Sequence, residues 1–199
     1  EGAVLGRDYA DQTGVVTDEM WQTMQGPITF QARRAEVEAS ATHVEIDLPT
    51  QVLIVFRDEQ VRLITHISSG SGETWCDVLT INTDDLGNPI NPPKLQDICG
   101  VSKTPGGVFR FYRGLDGHRI GGMGGMENPI YFNYGIAVYG SDSVPALPAS
   151  HGGIRIPQWI ATYFPSLVHA DQTAGDLVYV WGTDGKQPEE YTRDESLPM

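Results

Sequence analysis

Ala149-Ser150-His151-Gly152-Gly153-Ile154-Arg155-Ile156-Pro157 carries the most informative pattern in this 199-residue chain. It runs a polar, glycine-bearing turn into an Ile-Arg-Ile alternation. Pro157 then opens residues 158–164, predicted as the one clear helix of the main body because proline suits a helix's first turn. On either side of it, short β-branched and aromatic runs recur about every ten residues, separated by Gly, Pro, Asn and Asp, which is the pattern of a mainly β fold. Strands are predicted at 52–56, 62–67, 107–112, 130–132, 136–139 and 177–181. A β-sandwich with one or two short helices fits this spacing.

The opening stretch resembles the active-site signature of the L,D-transpeptidase (YkuD-like) family, Ser/Thr-His-Gly-Cys-x-Arg, whose cysteine is the nucleophile. Ser150, His151, Gly152 and Arg155 match it, and Gly153 stands where the sulfur belongs. The resemblance runs from about His43 to Trp181. It includes His43-Val44-Glu45-Ile46-Asp47-Leu48, Gln51-Val52-Leu53-Ile54-Val55-Phe56, the strand Gln60-Val61-Arg62-Leu63-Ile64 and Ile67-Ser68-Ser69-Gly70-Ser71-Gly72. Lys103-Thr104-Pro105-Gly106-Gly107-Val108-Phe109-Arg110 is similar to the family's TPTGxF turn, and Asn128-Pro129-Ile130-Tyr131-Phe132 also has a counterpart. Several short matches in the right order are far more specific than one. The resemblance implies a β-sandwich acting on peptidoglycan stem peptides.

A second departure accompanies Gly153. The family's upstream histidine lies in a segment reading G-I-A-I-H-G, whereas this chain has Gly135-Ile136-Ala137-Val138-Tyr139-Gly140. Glycine carries no nucleophile, and a phenol with a pKa near 10 is a poor base at neutral pH. By resemblance, His151 and the backbone of residues 151–153 line the oxyanion side of a pocket and Arg155 braces the loop; alternatively, these residues only hold the loop in shape. Tyr131 and Asn133 join Ser150, His151, Gly152 and Arg155 as motif or substrate-contact candidates. Two classes follow. One is a non-catalytic module binding stem peptides or another cell-envelope protein; the other is an active transpeptidase or peptide hydrolase with an unrecognised nucleophile, Ser150 being the nearest hydroxyl.

Composition narrows the partners. Apolar residues at 40% support a packed core, and a formal charge of -13, from 13 basic and 26 acidic residues, argues against nucleic acid, whose phosphates need basic clusters. No metal or cofactor is expected, because His43, His66, His118, His151 and His169 show no ligand spacing. No apolar run approaches the roughly 18 residues of a membrane span. The chain begins at Glu1, so it is read as a mature form or a fragment, and the lack of a leader is no sign of cytoplasmic residence.

Cys76 and Cys99 flank a polar insertion, 77–98. A bridge between them is preferred over two buried thiols, because related actinobacterial-type family members carry a similar pair. It would stabilise by roughly 3 kcal/mol and imply an extracytoplasmic location.

At the N-terminus Thr17 is a predicted helix cap with Asp18 and Glu19 in the first turn. Residues 1–25 resemble the end of a three-helix peptidoglycan-binding domain, an ordinary amphipathic helix being the alternative, and 26–42 read as a linker to the main domain, 43–182. The glycine-rich 121–126 lacks the Lys-Ser/Thr of a phosphate loop and is read as a flexible flap. Residues 183–199 read as a polar, mobile tail.

Overall fold

In the computed structural model the described residues are 2–28, 30, 32–34, 42–58, 60–83, 88–121 and 124–192. Two short helices come first, α1 (Gly2–Leu5) and α2 (Asp18–Met24). Thr17 caps α2 as its sequence suggests, its hydroxyl accepting from the Met20 N–H at 3.2 Å. The strands of the main body are β1 (Thr42–Asp47), β2 (Val52–Arg57), β3 (Gln60–His66), β4 (Thr74–Thr83), β5 (Pro89–Val101), β6 (Gly107–Arg110), β7 (Arg113–Gly114), β8 (His118–Gly121), β9 (Gly124–Asn133), β10 (Ile136–Ser141) and β11 (Ile154–Pro157). Two helices, α3 (Gln158–Ala161) and α4 (Phe164–Leu167), precede the last strand, β12 (Leu177–Trp181).

One sheet has the order β3-β2-β1-β12-β6 and a second the order β11-β10-β9-β7, with β8 pairing β9. Alternation along each strand sends one set of side chains between the sheets. Val44 and Ile46 of β1, Val178 and Val180 of β12, and Val138 and Ile154 of the second sheet are all fully buried there. Each such side chain contributes roughly 1.5–3 kcal/mol through removal from water. Phe111 and Phe164 close the core, packed edge to face with ring centroids 6.0 Å apart.

The opposite face of β1 and β12 is covered too. His43 stacks on Phe56 at 5.1 Å, and the guanidinium of Arg33 lies 4.7 Å from the Trp181 ring centre. Arg34 reaches Trp181 at 5.2 Å and pairs with Glu189 at 2.7 Å, so the segment before β1 and the turn Pro188–Glu190 meet over this face. Residues 183–192, the first part of the tail read as mobile, thus fold back on the sandwich; residues 193–199 lie outside the described residues.

The turn into β12 is held by Asp171. Backbone N–H groups of Thr173 and Ala174 and the Thr173 hydroxyl all donate to its carboxylate, which lowers its pKa to about 2.

Three segments differ from their sequence reading. The helix predicted over 158–164 breaks after Ala161 and resumes at Phe164, since Pro165 has no N–H to continue a ladder and constrains the residue before it. The insertion 77–98 belongs to a separate two-stranded sheet, β4 against β5. Its turn residues masked long runs that pair side by side. The glycine-rich 121–126, read as a flap, enters the β8–β9 pairing, with Arg119 opposite Met126 and Ile120 opposite Gly125; residues 122 and 123 lie outside the described residues.

Cys76 and Cys99 face each other across β4 and β5, bonded, with Cα atoms 4.1 Å apart. Among the described residues no helix is long and apolar enough to cross a membrane.

Candidate functional site

The loop from Ser150 to Gly153 leads into β11, which runs parallel to β10 and sets Arg155 opposite Tyr139. Three segments converge on this loop. Ser68 and Arg155 exchange both backbone hydrogen bonds at 3.0 Å, and Ser69 carbonyl accepts from Ala149 and Ser150 N–H at 2.9 Å. Gln51 supports that contact from below. Its carbonyl oxygen accepts from Ser69 N–H and its amide donates to the Ser69 hydroxyl, both at 2.9 Å.

From the third segment, Thr104 takes the Gly70 N–H at 2.9 Å and donates to the Gly152 carbonyl at 2.6 Å. One hydroxyl therefore links the segments around Gly70 and Gly152, both of which matched the family blocks in sequence.

Within the loop, Ser150 is 1% exposed; its hydroxyl donates to the Gly153 carbonyl at 2.6 Å and accepts from the Gly152 N–H at 3.0 Å. Gly152 has φ +130 and lies beside Lys103, whose carbonyl would sit 3.0 Å from an added Cβ, so both backbone conformation and space call for glycine.

Gly153 is different. Its backbone is outside the left-handed region, so its conformation accepts a side chain. Its space does not: an added Cβ would lie 2.7 Å from Cε1 of Tyr139 and 3.2 Å from the Ala137 carbonyl oxygen. The phenol ring of Tyr139 fills the place from which a cysteine side chain would grow. Arg155 donates its Nε–H to the Tyr139 hydroxyl at 3.4 Å. Tyr139, Gly153 and Arg155 are in this sense one packed unit.

His151 is exposed and turns toward the β4–β5 hairpin, where it meets Trp75 edge to face with centroids 6.1 Å apart. Trp75 lies against Gly100, and its indole N–H is buried with no hydrogen-bond partner among the described residues. Tyr131 is opposite Ala137 in the next strand, under the Arg113 guanidinium at 4.5 Å, and Asn133 is buried opposite Ile136 where β9 turns into β10. The side chains of these last two have no hydrogen bond to the motif loop among the described residues. Sequence reasoning passed over Gln51, Thr104 and Trp75. Gln51 and Thr104 were visible as members of matching blocks, whereas no sequence signal placed Trp75 beside His151.

Sandwich and loop together define a domain of the L,D-transpeptidase-like class. A profile of the YkuD L,D-transpeptidase catalytic domain matches residues 41–180, and the chain belongs to that family. The family acts on peptidoglycan peptides and is typically associated with the cell envelope. Among solved structures, the L,D-transpeptidase (residues 123-326) from Xylanimonas cellulosilytica is similar at 29% identity with a TM-score of 0.62, covering 84% of this chain and 72% of that one. An L,D-transpeptidase from Stackebrandtia nassauensis shares 16% identity over 77% of this chain and 58% of its own, with a TM-score of 0.49. No curated protein matches the chain.

Proposed function

We propose that this domain is a catalytically degenerate L,D-transpeptidase homologue that binds peptidoglycan stem peptides outside the cytoplasm without turning them over. The observation that carries the proposal is the packing of Tyr139 against Gly153. Cysteine chemistry needs a thiolate with a neighbouring base, and here the nucleophile position has no side chain while the base position holds a phenol that occupies the vacated space. A covalent acyl-enzyme cannot form at residue 153.

The nearest alternative nucleophile is Ser150. Its hydroxyl is buried and engaged on both sides by Gly152 and Gly153, so attack would require the loop to open. That favours the binding reading over an active enzyme with an unusual nucleophile.

Ser150, His151, Gly152 and Arg155 are the proposed wall of the peptide site, with Tyr131 and Asn133 behind it. The Cys76–Cys99 bond supports an oxidising, extracytoplasmic setting. Residues 1–25 are proposed as the end of a peptidoglycan-binding-like helical domain and 26–42 as a linker; the capped helix α2 supports the first part of this reading.

Incubating the unmutated chain with a disaccharide tetrapeptide and excess D-methionine, followed by mass spectrometry, tests the proposal. The expected result is no exchanged product, together with retention of the chain on sacculi. Exchange of the terminal D-residue would return the protein to the enzymes, and failure to bind either sacculi or the tetrapeptide would remove the binding role.

A further inference from the structure

At the far end of β11 from the motif loop lies an open groove of about 680 Å³, lined by His66, Ser141, Asp142, Val144, Gln158 and Trp159 among others. From Gly153 to Pro157 the strand advances roughly 13 Å at about 3.3 Å per residue, so the two places lie at opposite ends of one strand. We propose that this groove is a carbohydrate site that holds a neutral N-acetylated sugar oligomer, with the indole of Trp159 as its stacking platform.

The platform is unusual for a core-building helix. Ile160 and Ala161 of α3 are 3% and 1% exposed, whereas Trp159 is 68% exposed. Burial accounts for its neighbours and leaves the largest side chain of the helix facing water. Pyranose C–H groups carry partial positive charge and pack well on the negative face of an indole.

The rim supplies the hydroxyl chemistry. The side chains of His66, Asp142 and Gln158 make no hydrogen bond among the described residues. A carboxylate that only accepts, an amide that does both and an imidazole that does either can share ring hydroxyls and acetamido groups in several patterns. Their approach follows from the fold: Ser68 bridges Arg155 and Tyr139 pairs with Arg155, which carries the ends of β3 and β10 alongside Pro157.

Other ligand classes fit less well. Among the described residues no Lys or Arg lines the groove, so a polyanion would meet the Asp142 charge and no fixed cation. The apolar lining outside Trp159 is Val144 and Pro157, too little for an apolar helix or strand to bury a face. A neutral ligand with one apolar face and many hydroxyls matches both the indole and its rim.

The site does not need the stem-peptide reading, and the test keeps the two apart. Full-length chain is titrated by calorimetry with N-acetylglucosamine tetramer, which has no peptide, and separately with sugar-free stem tetrapeptide. Saturable binding of the tetramer is expected, weakened about tenfold or more by Trp159→Ala, since loss of a stacking aromatic is a large fraction of a weak affinity. Leu95→Ala, which removes an exposed apolar side chain of the β4–β5 hairpin, serves as the control and should leave it unchanged. If Trp159→Ala lowers the thermal midpoint, the variant Asp142→Ala/Gln158→Ala replaces it, with weakening of about threefold or more expected from lost hydrogen bonds.

No saturable binding by the unmutated chain, equal affinity in these variants, or equal loss in the Leu95 control overturns the proposal. Tetramer binding without tetrapeptide binding leaves the carbohydrate site standing and removes the peptide reading; the reverse result removes the carbohydrate site alone.

Discussion

Tyr139 and Gly153 have to be understood as a pair. With a smaller side chain at 139, Gly153 would leave a small void, and with Tyr139 in place a cysteine at 153 would clash. In contact, the two replacements restore dense packing, and the hydroxyl gains the Arg155 donor. Introducing Gly153→Cys by itself should therefore strain the loop and destabilise the domain by about 1–3 kcal/mol, the usual cost of overpacking. Adding Tyr139→His should recover most of that loss, because imidazole is smaller than phenol. Urea midpoints of the two single variants and the double variant would check this, and additive effects would show that the two side chains do not share space. The folded double variant should also regain acylation by a carbapenem, since thiol and base act as a unit. Both positions stood out in sequence because their flanking residues match the family. Their contact was not, since β10 and β11 become neighbours only through parallel pairing across a long connection.

Among the elements, the β4–β5 hairpin is the one most dependent on its bond. A two-stranded sheet is marginal in water on its own, and Val78, Leu95 and Val101 are each more than half exposed along it. Cys76–Cys99 ties its base, next to Trp75 and the His151 contact. The variant Cys76→Ser/Cys99→Ser should lose amide protection throughout residues 74–101 while the sandwich strands keep theirs. Hydrogen exchange by mass spectrometry separates the outcomes, and equal loss in β1 and β12 would mean that the bond supports the whole domain. The sequence pointed to the bond but not to the strands. Prolines at 92 and 93 and the turn residues around Asn88 and Pro89 disguise a ladder that an exposed hairpin accommodates at its edges.

For the whole molecule, closure depends on Arg34. Its backbone N–H donates to Glu45 at 3.1 Å and its guanidinium donates twice to Glu189, at 3.0 and 2.7 Å, while lying over Tyr179 and Trp181. This one side chain connects the segment before β1, the outer face of β12 and the turn near the C-terminus. Because Glu189 is half exposed, the pair itself is worth little, and most of the effect comes from covering the aromatic rings. Arg34→Ala should lower stability by about 1–2 kcal/mol, with Arg34→Lys recovering less than half because an ammonium lacks the planar fork. Thermal melts at low and high salt would check both, and a midpoint equal to that of the unmutated chain would sink the closing role.

Alternation and the ordered family blocks make the sandwich readable from the residues alone. Tyr139 and Gly153 are likewise readable as single letters that depart from otherwise matching motifs. These are local patterns, readable wherever period and neighbours survive. The folded arrangement alone brings Tyr139 into the space beside Gly153, lets Thr104 link two distant segments to the motif loop, turns Trp75 toward His151 and leaves Trp159 facing water above a polar rim. Each of these is a relation between residues far apart in the chain, set by strand pairing and sheet packing, which no local pattern encodes.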